Sequence, residues 1–174
     1  QIGHGGQPGK GDTGFKGSKR RMRRLRRMLR SAVLLALLGL AGFAVYVRAL
    51  PQVAALWHAP SYPSGMGHIE EASSHIWRAP QTQDGVQEMQ TLDALIRATA
   101  RTSAIAGSIE EGMITYVTYS RWWRFPDFTT LERNVALIEG GPRVISIHSR
   151  ARYGSSDFGV NERRIRDWLL RFKG

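Results

Sequence analysis

The sequence predicts an α+β domain carried behind one transmembrane helix, and three observations predict it. A charge-free apolar run, Ser31–Val47, directly follows a block of arginines. The second half of the chain holds two strand pairs, each around a turn signal. Helical spacings of apolar residues precede and follow those pairs. Helices packed on one face of an antiparallel sheet of about four strands bury both sets of apolar residues.

Taken in chain order, residues 1–19 are rich in glycine and polar residues and are expected to be a disordered cytoplasmic tail. Residues 20–50 form the basic juxtamembrane segment and the membrane helix. Seventeen helical residues reach roughly 25 Å, slightly short of a hydrocarbon core of about 30 Å, and snorkelling arginines close the gap. Nine apolar residues of the run favour insertion by about 3–5 kcal/mol together. The run ends in Tyr46-Val47-Arg48-Ala49-Leu50-Pro51 without a small-x-small cleavage pattern, so an uncleaved anchor is expected rather than a signal peptide.

Charge decides the orientation and the partners. Residues 1–30 carry ten Lys/Arg against one acid, a net of +9, whereas residues 61–174 carry fourteen against thirteen, a net of +1. The basic end belongs on the cytoplasmic side, which places the rest of the chain in the periplasm of a bacterial inner membrane. Anionic lipid headgroups suit the basic tail, and other membrane-protein subunits are expected partners. A near-neutral folded part argues against nucleic acid as a partner.

Residues 51–83 hold four prolines and two glycines and read as a linker. His58, His68 and His75 lie here with Glu70 and Glu71, but their spacing matches no tight ligand pair, so solvated loop histidines are expected. No cysteine is present, which excludes a disulfide framework and a thiolate nucleophile. Neither a metal nor a cofactor is expected.

The domain proper is read as residues 84–174. Met89, Leu92, Leu95 and Ile96 predict a helix over Gln87–Arg101. Ser103–Ile109 and Met113–Ser120 flank the turn signal Glu110-Glu111-Gly112, and Thr130–Ile138 and Arg143–Ser149 flank Gly140-Gly141-Pro142. A closing helix follows, with Asn161 as the expected N-cap, Val160 and Ile165 as a hydrophobic staple and Ile165, Trp168, Leu169 and Phe172 as the buried stripe.

Three segments from Ile114 onward resemble the family called domain of unknown function 1499, small bacterial and plastid proteins often attached to membranes. They are Ser120-Arg121-Trp122-Trp123-Arg124-Phe125-Pro126-Asp127, then Ser149-Arg150-Ala151-Arg152-Tyr153-Gly154, then Ser156-Asp157-Phe158-Gly159-Val160-Asn161 with Arg164. Gly154, Asp157, Gly159, Asn161 and Arg164 stand in register with the family's G-x-x-D-x-G-x-N-x-x-R signature. His148 and Ala151 stand where arginine and serine are common in the family. The resemblance implies a fold and no reaction.

Arg150 and Arg152 are two apart at a strand end and can leave on one face, where Asp127 and Asp157 would pair with them as an architectural network. The sharper reading is an anion pocket of Ser149, Arg150, Arg152, Ser155, Ser156 and the N-terminus of the last helix. Hydrolysis would need Ser120 or Ser149 with His148 and an aspartate, yet His148 and Ser149 are strand neighbours with opposite faces. An activity other than catalysis is therefore expected: an accessory or scaffold subunit of a larger inner-membrane assembly, such as an electron-transport or photosynthetic complex. The alternative is a periplasmic module binding or hydrolysing an anionic small molecule or lipid. Ala32, Ala36 and Gly39 form a small-residue stripe suited to helix packing, and Trp122 with Trp123 is a candidate contact.

Overall fold

The computed structural model describes residues 13–49, 53–61, 65–154 and 156–173. The chain divides into two compact units between Tyr46 and Val47.

The described residues of the first unit belong to one helix, α1 (Thr13–Ala49), whose last turn falls in the second unit; its part Arg21–Ala49 is long and apolar enough to cross a membrane. The helix starts within the stretch expected to be disordered. Once the apolar run is helical, adding lysines and arginines at its N-terminal end needs no new nucleus. Ala32, Ala36 and Gly39 lie exposed along it.

The second unit is an antiparallel sheet with two helices on one face. Its elements are β1 (Gly67–Glu71), β2 (Ser74–Pro80), α2 (Val86–Arg97), β3 (Thr102–Ser108), β4 (Met113–Tyr119), β5 (Pro126–Ala136), β6 (Arg143–Ala151) and α3 (Val160–Lys173). The strand order is β1-β2-β6-β5-β4-β3. Six strands stand where about four were expected, because β1 and β2 form within the expected linker. β2 escaped notice for a physical reason: it lies between β1 and β6, and both of its faces are buried, one through Trp77 and the other through Arg78. An inward-facing arginine erases the apolar alternation by which strands are recognised.

On the helix-covered face, Met89, Leu92 and Ile96 of α2 and Ile165 and Trp168 of α3 meet Ile114, Leu131 and Ile147 of the sheet, all at 1% exposure or less. Each such side chain contributes about 1.5–3 kcal/mol of burial. The polar ends of the large aromatics are satisfied: Trp168 Nε1 donates to Thr99 Oγ1 (2.8 Å), and the Tyr116 hydroxyl donates to Asp93 (2.6 Å).

Candidate functional site

The three motif segments meet at one end of the sheet, where β4 stops, β5 starts and β6 stops. The β4–β5 loop is closed by a reciprocal pair: Ser120 N donates to the Phe125 carbonyl and Phe125 N donates to Ser120 Oγ, both at 2.9 Å. Between them Arg121, Trp122, Trp123 and Arg124 are exposed, Trp122 at 76%. Trp123 stacks towards Phe125 (6.3 Å between ring centroids), and Phe125 tilts against Tyr153 of the loop after β6 (5.8 Å). Guanidinium groups lie over the rings: Arg121 over Trp122 (5.1 Å), Arg124 over Tyr119 (4.7 Å) and Arg152 over Tyr153 (5.5 Å). Pro126, buried at the start of β5, accepts the Arg152 N–H on its carbonyl (3.3 Å). Phe158 adds a side chain 85% exposed.

Beneath this surface the charged motif residues form pairs other than the expected ones. Asp127 lies opposite Ala151 and faces the helices, whereas Arg150 lies opposite Phe128 and leaves by the other face. Its partner is Arg164, whose Nη2 meets Asp127 Oδ2 at 3.0 Å while Nη1 donates to Asn161 Oδ1 (2.9 Å). Burial nonetheless holds the Asp127 carboxyl above the usual carboxylate range, with Arg164 pulling against it. Asp157, not Asn161, caps α3: its carboxylate accepts the N–H groups of Gly159 (2.9 Å) and Asn161 (2.8 Å). Asn161 is a fully buried first-turn residue, and Val160 is exposed, so the staple is absent. Gly154 and Gly159 take φ of +97° and +70°, the left-handed backbone that glycine supplies without strain.

The residues of the expected anion pocket do not converge. Ser149 Oγ is paired with Thr129 Oγ1 (2.5 Å) on the helix-covered face, Arg150 is on the opposite face, and Ser155 lies outside the described residues. The cleft beside the α3 N-terminus, about 430 Å³, is lined by Glu70, Glu71, Ala72, Ser156, Asp157 and Gly159, a set that repels anions. Nor do the triad residue types meet, since neither ring nitrogen of His148 has a hydrogen-bond partner among the described residues and Ser120 Oγ is engaged by Phe125 N.

The second face of the sheet holds a buried polar bed that sequence reasoning missed. Arg78, Glu132, Ser146, Thr130 and Thr115 are buried there, with His148 and Arg150 half-buried. The segment 53–61 is strapped across them. Trp57 stacks on Phe128 (4.0 Å, 8° between planes), and its carbonyl accepts Arg150 Nη2 (2.7 Å). His58 Nδ1 meets Thr115 Oγ1 (3.0 Å), and Ser61 donates its N–H (2.9 Å) and hydroxyl (2.6 Å) to Glu132. Gly107 makes room for the strap: a Cβ there would sit 2.7 Å from His58 Cε1 and 1.9 Å from the Met113 carbonyl. Burial, then Arg150 and Arg78, push the His148 pKa down to about 3, so its imidazole is neutral. Two of the three histidines expected to be solvated are instead structural: His58 is tied to the sheet, and His75 is 3% exposed on β2, whereas His68 of β1 is exposed and pairs with His75 (2.9 Å). A tryptophan inside the presumed linker was the one signal of the strap. Among the described residues no group of three His, Cys, Asp or Glu is placed to hold a metal.

No curated protein and no solved structure matches the chain. One family model does, over residues 56–172, a span that starts inside the strap and takes in all six strands and both helices of the domain. The chain belongs to the family described as Protein of unknown function (DUF1499).

Proposed function

We propose that the protein is a non-catalytic accessory subunit, anchored by α1 in a bacterial inner membrane with its N-terminus in the cytoplasm, whose periplasmic domain docks on a larger membrane assembly such as an electron-transport or photosynthetic complex. One observation carries the reading: the two motif loops join into an exposed surface of stacked aromatics and arginines, with Trp122 76% exposed beside Trp123. Tryptophan, tyrosine and arginine are the residues enriched at the energetic centres of protein interfaces. Such a surface in water is costly unless it has a partner. The paired Asp127–Arg164–Asn161 group beneath it supports a rigid platform rather than a reaction centre.

The tagged full chain, purified in mild detergent, is expected to bring one set of subunits in fixed ratio. Trp122→Ala with Trp123→Ala should release them while the chain stays folded and membrane-bound. Co-purification unchanged by the double variant would refute the docking surface. A reporter active only in the periplasm, fused after Gly174, is expected to be active; activity of such a reporter in the cytoplasm would reverse the orientation.

A further inference from the structure

We infer that a cavity between the edge of the sheet and the C-terminal half of α3 binds a small amphipathic acid, an apolar ring or short chain ending in a single carboxylate or phosphate. The cavity, about 250 Å³, is lined by His68, Trp77, Arg166, Leu169, Leu170 and Lys173. Its construction follows from the fold. His68 and Trp77 are direct partners across the β1–β2 ladder, and so stand side by side on the helix-covered face. Positions 166, 169, 170 and 173 follow the i, i+3, i+4, i+7 spacing of one helical stripe. The stripe closes over Trp77 (7% exposed) and Leu169 (5%) but leaves Leu170 76% exposed at the mouth, above the five-residue edge strand.

The lining has two chemistries. Trp77, Leu169 and Leu170 offer an apolar floor and wall, while His68, Arg166 and Lys173 bring basic groups, and no carboxylate is among the described residues that line the cavity. Arg166 is already bound by Glu162 (2.7 Å), which fixes its direction, whereas Lys173 has no ion-pair partner among the described residues. A cation would be repelled, and a neutral apolar molecule would leave the basic rim unused. An anion with an apolar body satisfies both parts. A dry cavity of ~150 Å³ holds one benzene, so this one takes a ring or a short alkyl chain with its acid at the rim.

His68 makes the binding proton-coupled. Its Nδ1 is held by His75 Nε2, and burial, Arg166 and His75 together keep its pKa below the ordinary histidine value, with Lys173 lowering it and Glu162 raising it. Around His75 stand Glu162, Arg166, Glu70 and Asp157. A bound anion beside His68 favours the imidazolium, so binding takes up a proton and tightens as pH falls towards the histidine range.

The full chain in phosphatidylcholine nanodiscs, titrated with hexanoate by calorimetry, is expected to show one saturable site that tightens from about pH 7.5 to about pH 6. Lys173→Glu, at an exposed helix end, should weaken it about tenfold or more without moving the melting temperature, and hexylammonium should not bind. Soluble dihexanoylphosphatidylglycerol is the second probe: tighter binding than hexanoate assigns the acid to a lipid, weaker binding to a free metabolite acid. Equal binding of hexanoate and hexylammonium, an unchanged affinity in Lys173→Glu, or binding of neither acid would overturn the inference.

Discussion

The two faces of the sheet are closed by opposite means. One is apolar and covered by α2 and α3, whose contacts need only the right volume and spacing. The other mixes apolar residues such as Phe128 and Val144 with buried polar groups and is covered by a strap of nine described residues, whose polar contacts each need a particular atom: Ser61 on Glu132, Arg150 on the Trp57 carbonyl, His58 on Thr115. Burial of an apolar face is non-directional and tolerates repacking, whereas a buried polar group is stable only when its specific partner is in place. The helix side therefore carries most of the stability, and the strap side carries more of the specificity.

The largest expected effect is on the helix side. Trp168→Ala removes the fully buried indole between α3 and the sheet, with its hydrogen bond to Thr99 Oγ1, at a cost of about 3–5 kcal/mol, read as a lowered thermal or denaturant midpoint. A loss no larger than that of an exposed substitution would show that α3 is not essential to the core.

At the border between core and motif surface, Arg164→Ala should cost about 2–3 kcal/mol, since it strands both Asp127 and Asn161. Arg152→Ala should cost less, because Asp127 keeps its ion pair with Arg164 when Arg152 is removed. Asp127 has a raised folded pKa, so its contribution is present at acidic pH and is lost as pH rises through that pKa. Without Arg164 the rise is greater, so the Arg164→Ala penalty should shrink on acidification. A penalty independent of pH would separate Asp127 from the effect.

The polar bed should reveal itself through His148. Its folded pKa of about 3 lies below the unfolded value, so the stability it contributes is full above about pH 6.5 and is lost progressively as pH falls towards 3. His148→Phe should remove about 1–2 kcal/mol of the stability difference between pH 7 and pH 5, measured by denaturant midpoints. An unaltered pH profile would mean that other groups cause the acid sensitivity. The smallest effect belongs to the docking surface: Trp122→Ala should move stability by less than about 0.5 kcal/mol.

The local elements of the domain were largely legible. α2, α3 and strands β3 to β6 follow from apolar periodicity and from turn residues, because backbone geometry imposes those periods within one segment. The small-residue stripe and the arginine block on α1 were equally local. What spacing left open were the partners across elements. Arg150 and Asp127 each had a charge to satisfy, and only the β5–β6 register, which sets Asp127 against Ala151 and Arg150 against Phe128, puts them on opposite faces. Asp157 and Asn161 both suit a helix start, and the position of the first turn decided for Asp157.

By itself, then, the sequence determined the apolar helix, the basic end, the helix and strand periods and the motif that places the chain in its family. The tertiary structure alone decided that β1, β2 and the strap complete the sheet, which arginine pairs with which carboxylate, and that a basic-rimmed cavity lies beside α3. Hydrophobic pattern is a property of one segment and can be read along the chain. The pairing of buried polar groups depends on register and on contacts between residues tens of positions apart, and no single segment encodes it.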